Sequence, residues 1–444
     1  MVQRQKWKVK NYNSYSNFPL KPHQSEAVDF LLSHPYAILA DEQGLGKTLE
    51  TLIVAFKSIR EDERKVLVIC PAFLRLNWYH EIDKMGRYYC DVKLIKDTPT
   101  AKERVDDDTD IVIASYSQLE HIEHIFEWAD IVIADESHYL KNLGAQRTLK
   151  FHKYVYENAP KRVILASGTP IENGAIEFYS PMRLMSYDPK LEGNTSFLRQ
   201  FPTQEDFNRT FAWPRHIKIK TSRGTTFDRL IYEGVRNLPQ LKSLLRDCYL
   251  RRTAEEVLDL PPILTQEVFV SYKSDPKLEE EFRKYREGHK SDPKQKAKSA
   301  KLKAKFTVDY VKNLNNQGMG PIIIYTDHRD SAHIIAEKLK VPYIDGSISH
   351  EKRADMVRDF QNGKLLFFVS TIGAGAEGIT ITRGSHMVMN DLSWVPAKNS
   401  QVYKRFHRIG QEKTCHLHFI LGSPQDNKIV QTLNKKSAVL EAIL

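Results

Sequence analysis

Short, continuous apolar runs alternate with stretches of helical period along most of this chain. Tyr36 to Ala40, Val66 to Cys70, Ile111 to Ala114, Ile131 to Ala134 and Val163 to Ala166 lack the polar alternation of a half-exposed strand. Runs of that kind suit parallel strands covered on both faces. A helix is expected from Pro22, where Ala27, Val28, Leu31 and Leu32 form a stripe behind a proline suited to a first turn. Between about Glu177 and Lys312 the rhythm breaks into prolines, aromatics and basic residues, read here as helical insertions and a solvated linker. At Pro321 it returns, with strands at Ile322 to Tyr325, Tyr343 to Asp345, Leu365 to Ser370, His386 to Asn390 and Leu417 to Leu421. Helices are expected between them at Arg329 to Lys340, Glu351 to Gln361 and Ala397 to Phe406, with another closing the chain. The expected fold class is therefore α/β, in four parts: an N-terminal arm (1–20), a first lobe (21–176), helical insertions with a basic linker (177–312) and a second lobe (313–444).

Length agrees, since 444 residues exceed one ordinary core and a length prior gives roughly two to four domains. A formal net charge of +10 suits a partner rich in phosphates, and equally a solvated basic surface. The lysine-rich stretch Lys284 to Lys305 suits a solvated helix face or direct phosphate contact. Cys70, Cys90, Cys248 and Cys415 form no CxxC pair, which argues against a zinc site and a disulfide framework. No segment approaches a membrane span and no apolar signal core opens the chain, so a soluble intracellular protein is expected.

Candidate chemistry begins at DEQGLGKT, Asp41 to Thr48, which follows an apolar run and leads into a helical pattern of Leu49, Leu52, Ile53, Phe56 and Ile59. Gly44, Gly46, Lys47 and Thr48 would then sit at a helix start, where free N–H groups and the dipole favour a phosphate. Lys47 would reach the β and γ phosphates, and the Thr48 hydroxyl would hold Mg²⁺. A plain strand-to-helix turn has the same local pattern, and Asp41 stands where the usual template has glycine. Asp135 and Glu136, in DESH, follow the run Ile131 to Ala134 at what would be a strand's carboxyl end. There Asp135 could help position Mg²⁺ and Glu136 could orient and deprotonate water. An acidic pair alone is often only a turn, but beside a phosphate turn it points to NTP hydrolysis.

These and further motifs resemble the Snf-type (Swi/Snf-related) ATPases of helicase superfamily two, motors that translocate on double-stranded DNA. The matching stretches are LKPHQ (Leu20 to Gln24), DEQGLGKT, PAFLRLNW (Pro71 to Trp78), DESH, SGTP (Ser167 to Pro170), LRRT (Leu250 to Thr253) and QVYKRFHRIGQ (Gln401 to Gln411). They stand in family order across almost the whole chain. The resemblance implies two RecA-like lobes with parallel sheets, ATP and Mg²⁺, and double-stranded or branched DNA as partner. It implies a DNA-dependent ATPase that remodels DNA structures or protein–DNA complexes, with a strand-separating DNA or RNA helicase as the alternative. It makes Asp41 a family trait, places Asp41, Gly44, Leu45, Gly46, Lys47 and Thr48 around the nucleotide, and adds Gln24 as an adenine reader and Gln401 as a nucleotide contact. Ser167 to Thr169 would couple nucleotide state to lobe closure.

Arg405 and Arg408 fall three apart on the expected helix and so would share a face. The resemblance makes both arginine fingers that complete the ATP site when the lobes close; without it, phosphate-backbone or surface roles suit a basic protein. Two departures touch this region: the small-residue run Ser370 to Gly378 is about one residue longer than usual, with Glu377 before Gly378, and Lys404 stands where an acidic residue is common. DNA contacts are expected around Pro71 to Asn77, Ser115 to Gln118, Tyr325 to Arg329 and Ser370 to Thr371, while Trp78 and Trp394 are expected in the core. A monomer is expected, in the cytoplasm of a prokaryote or infected host, or in a nucleus.

Overall fold

The computed structural model describes residues 12, 15, 19–86, 90–96, 105–172, 174–187, 195–220, 226–270, 280, 293–375, 379–393, 395–422, 426 and 430–431. One compact unit runs to Val257 and a second begins at Leu258.

In the first unit the apolar runs become strands β1 (Tyr36–Leu39), β2 (Val66–Cys70), β4 (Ile111–Ser115), β5 (Ile131–Asp135) and β6 (Arg162–Ala166). Two short strands not foreseen from the sequence, β3 (Val92–Leu94) and β9 (Tyr249–Leu250), close the sheet, which is parallel throughout in the order β3-β4-β2-β5-β6-β1-β9. The absence of alternation has its cause here. Val66, Val68 and Cys70 pack into the core on one face, Leu67 and Ile69 into the core on the other, so no position along β2 meets water. Helices α1 (Pro22–Ser33) and α2 (Lys47–Asp62) cover one of these faces. Most of the expected N-terminal arm lies outside the described residues, but Tyr12 is buried and its hydroxyl donates to Asp29 of α1 at 2.5 Å.

Residues beyond Ile171 build a third core, in which Tyr179, Phe197, Phe201, Phe207 and Phe211 pack ring against ring and Phe178 meets Tyr249 edge-on. The sequence reading expected only helices in this insertion. The structure instead adds an antiparallel hairpin, β7 (Trp213–Lys220) with β8 (Thr226–Glu233). Its residues alternate between two solvent-facing sides, so neither strand shows the apolar pattern by which the others were recognised.

The second unit repeats the architecture with strands β10 (Ile263–Phe269), β11 (Ile322–Thr326), β12 (Tyr343–Ile344), β13 (Phe367–Thr371), β14 (His386–Met389) and β15 (Cys415–Leu421). All pair in parallel, in the order β10-β15-β14-β11-β13-β12. Ile323 and Tyr325 of β11 point into one core, Ile322 and Ile324 into the other. The expected linker also changes character, because Pro293–Asn316 is one helix of 24 residues. It is held by a buried lysine: Lys303 is 1% exposed and its Nζ donates to Ile420 O at 3.1 Å and to Asp426 Oδ1 at 2.8 Å. A solvated helix face is one reading of the lysine run, but the helix has a buried stripe, Ala300, Ala304, Val308 and Val311, whose mostly small residues make it faint in the sequence. The rest of the lysine stretch, the closing helix beyond residue 431, Trp394, Glu377 and Gly378 lie outside the described residues.

Candidate active site

The loop between β1 and α2 is wound by two glycines in the left-handed region, Gly44 at φ 89° and Gly46 at φ 104°. Gly46 is needed twice over, since a Cβ there would lie 2.3 Å from Gln24 Nε2. Gln24 is buried under the loop: its Nε2 donates to Leu45 O and its Oε1 accepts from Lys21 N–H, both at 2.9 Å. The amide thus ties the start of α1 to the loop. Lys47 opens α2, and its Nζ returns to the carbonyls of Asp41 and Glu42 at 2.8 and 3.3 Å. Thr48 follows, half-buried in the first helical turn. Asp41 is fully buried, and its carboxylate is gripped by the guanidinium of Arg252.

At the carboxyl end of β5 lies the acidic pair. Asp135 Oδ2 accepts from Trp78 Nε1–H at 2.8 Å and Oδ1 from the Glu136 N–H at 2.9 Å, while Tyr116 O–H donates to its carbonyl at 2.7 Å. Burial, then the Glu136 charge, push the Asp135 carboxyl up to about 6; the Trp78 hydrogen bond and the Lys47 ammonium pull the other way. Lys47 therefore lies within electrostatic reach of Asp135. Glu136 has left-handed backbone, φ 50° and ψ 48°, a conformation that costs a residue with a Cβ on the order of 1 kcal/mol. The twist turns its carboxylate toward His138 Nδ1, 3.2 Å away, and Ser167 Oγ, 3.5 Å away. Ser167 Oγ in turn accepts from the Thr169 N–H at 3.2 Å, joining DESH to SGTP. Gly168 approaches the phosphate loop so closely that a Cβ would stand 2.4 Å from Gln43 and 3.1 Å from Lys47 Nζ.

An oxygen donor set of hydroxyl and carboxylate is the kind a hard cation such as Mg²⁺ takes. Thr48 and Asp135 fit that chemistry. A separate cavity of about 540 Å³ opens beside the carboxyl ends of β2 and β4, lined by Pro71, Phe73, Tyr116, Ser117, Tyr139 and Arg147 among others. Two of the four stretches expected to touch DNA meet there. Arg75, within one of them, is committed to Ile95 O at 2.6 Å and to Ala72 O at 3.3 Å.

In the second unit the expected helix is shorter than foreseen, Pro396–Tyr403, and Lys404 caps it. Arg405 and Arg408 hence lie in the tight turns that follow, which corrects the expectation of a shared helical face. Past Tyr403 the backbone tightens into i→i−3 bonds, Arg405 N–H to Val402 O at 3.0 Å and Phe406 N–H to Tyr403 O at 3.2 Å, and Gly410 then takes φ 95°. Arg408 donates to Thr380 Oγ1 at 3.0 Å, and both burial and the nearby Arg405 charge weigh against its charged form. Gln401 is half-buried on the preceding helix. Gln411 is a staple: its Nε2 donates to Thr382, Gly384 and Phe406 carbonyls and its Oε1 accepts from two backbone N–H groups. Arg329, in a stretch expected to touch DNA, pairs with Asp345 at 2.5 Å.

Residues 23–317 match the profile of the SNF2-related domain, and residues 303–410 that of the helicase conserved C-terminal domain. The chain belongs to the SNF2 family. Among its relatives are the human DNA annealing helicase and endonuclease ZRANB3, 26% identical across 96% of this chain and 40% of that protein, and the zebrafish (Danio rerio) DNA repair and recombination protein RAD54-like, 26% identical across 96% and 67%. The chain thus spans less than half of the first. A solved structure, the Sulfolobus solfataricus SWI2/SNF2 ATPase core in complex with dsDNA, aligns over 99% of this chain and 95% of that one at 23% identity and a TM-score of 0.47.

SNF2 membership puts names to the motifs but not roles to every residue in them. Trp78 is in the core, as the sequence suggests, yet its N–H is also what holds Asp135, a contact across 57 positions. His138 and Arg252 stand inside matching motifs whose sequence assigns them no role; the fold brings His138 Nδ1 within 3.2 Å of Ser167 Oγ and Arg252 onto Asp41.

Proposed function

We propose that this chain is an ATP-driven motor that moves along double-stranded DNA and remodels DNA structures or protein–DNA complexes. The observation that carries the reading is the convergence at one sheet end of the phosphate loop, Lys47 and the Asp135–Glu136 pair. In this reading Lys47 leaves the Asp41 and Glu42 carbonyls for the terminal phosphates. Thr48 and Asp135 would hold Mg²⁺, which would supply neutralisation of the phosphate charge. Glu136, steadied by His138 and Ser167, orients the attacking water and takes its proton. Arg405 and Arg408 serve as arginine fingers for the transferring phosphate, and Gln24 and Gln401 as nucleotide contacts. The relatives named for DNA repair and strand annealing, the +10 net charge and the aromatic, arginine-edged cavity beside β2 and β4 support duplex DNA as the track.

The decisive experiment compares ATP turnover with duplex DNA, single-stranded DNA, forked DNA and RNA, alongside triplex displacement and strand separation. Duplex-stimulated turnover with triplex displacement and no net strand separation is expected. Stimulation confined to single strands would replace the motor by a strand-separating helicase. Lys47→Ala should abolish turnover while DNA binding persists, and undiminished turnover would remove the site assignment.

A further inference from the structure

The start of the phosphate loop is fastened from a place more than two hundred residues away. Arg252 is 5% exposed and Asp41 fully buried. The Arg252 fork meets both oxygens of the Asp41 carboxylate, with Nε 3.2 Å from Oδ1 and Nη2 on Oδ2. The remaining nitrogen, Nη1, donates to His23 O and lies 3.4 Å from Glu26 Oε2, so the guanidinium is engaged on both edges. A second buried carboxyl, Glu50, lies 4.0 Å from Nη2, and its oxygens have no hydrogen-bond partner. Burial, then the Asp41 charge, hold Glu50 well above the usual carboxylate range, so the buried counter-charge to the arginine is Asp41, with the more exposed Glu26 at its other edge.

The backbone repeats the connection. Cys248, Leu250 and Arg252 carbonyls accept from the N–H groups of Ile38, Ala40 and Glu42 at 2.6, 2.7 and 2.9 Å. Glu42 Oε2 accepts from Ala254 N–H at 2.6 Å, and Arg251 donates to Ala40 O at 3.0 Å. The chain from Cys248 to Ala254 is thus zipped along the end of β1 and the first residues of the loop. Asp41 and Glu42 are also the residues whose carbonyls receive Lys47 Nζ. A planar fork that cannot lose its proton suits a buried bidentate grip, and a lysine offers only a point charge in its place.

We propose that Arg252 is a positioning residue for nucleotide binding, which sets the phosphate loop and the approach of Lys47 through its paired grip on Asp41. The proposal rests on the ATP-site reading above. It also assigns the aspartate that replaces the usual glycine of the phosphate turn: Asp41 faces its clamp, and it acts on the nucleotide by holding backbone.

The test uses the full chain, with affinity for a methylanthraniloyl-labelled ATP, KM, kcat and melting temperature read together. Arg252→Met alone strands a buried carboxylate, so the informative variants are Arg252→Lys and the neutral pair Asp41→Asn with Arg252→Met. Both should stay folded, with KM raised on the order of 10- to 100-fold, the effect of losing a group one layer behind a ligand, and kcat changed less. Either variant folded with wild-type affinity and KM overturns the proposal. A lowered melting temperature with unchanged KM does so too, because it confines Arg252 to stability. Lys47→Ala separates this from the underlying reading: if that variant still binds and turns over ATP, the site itself is misassigned, whatever Arg252 does.

Discussion

Single side chains in this protein carry charge in places where water does not reach, and their titration has consequences. Asp135 sits near pH 6 because it is buried beside Glu136, and it must be ionised to hold a cation. As pH falls through about 6 it gains a proton, so the Mg²⁺ concentration needed for half-maximal turnover should rise steeply below that pH. Trp78→Phe removes an N–H that favours the carboxylate, and the acid limb of the turnover profile should then move to higher pH. An unmoved limb would show that the bond has no electrostatic role. Arg408→Ala should lower turnover by roughly a thousandfold or more if it acts as an arginine finger, with labelled ATP still bound. A normal rate would take that role away.

At the level of elements, the long helix Pro293–Asn316 and the aromatic insertion make separate claims. Lys303→Ala leaves Asp426 without its buried partner and should cost about 3–5 kcal/mol. Pairing Lys303→Met with Asp426→Leu should recover most of it, as denaturant midpoints would show. Phe207, fully buried and ringed by Tyr179, Phe197, Phe201 and Phe211, should cost roughly 3–5 kcal/mol when truncated to alanine. The sheets themselves were legible in the sequence: β1, β2, β4, β5 and β6 lie within a residue of the apolar runs that announced them. A strand buried on both faces carries few polar residues, and that constraint is written directly into the chain. The hairpin β7–β8, wet on both sides, leaves no such mark.

For the whole molecule, two solution properties follow. Burial, and then the neighbouring histidines, push His386 and His418 down to about 4, whereas an unfolded histidine titrates near 6.5. Below 6.5 the unfolded chain takes up protons that the folded one refuses. Stability is therefore full above about 6.5 and drains away toward pH 4, and urea midpoints should fall between pH 7.5 and 5. His386→Gln should flatten that slope; parallel slopes would place the acid sensitivity elsewhere. Duplex-DNA affinity should drop steeply with salt, each neutralised phosphate adding about 0.9 to the log–log slope. A flat response would make the basic charge incidental.

The sequence by itself determined the α/β class, the central strands of both parallel sheets, though not β3, β9 or β10, and the motifs of nucleotide chemistry. Each depends on local spacing: burial on two faces, glycines at a phosphate turn, carboxylates after a strand. Tertiary structure alone decided which groups those motifs lean on. Trp78 reaches Asp135 across 57 positions and Arg252 reaches Asp41 across 211. It also moved Arg405 and Arg408 off the helix that periodicity had drawn for them, into the tighter i→i−3 turns that follow Tyr403. A buried charge is stable only beside its counter-charge, and the fold, which closes the distance, chooses the pair.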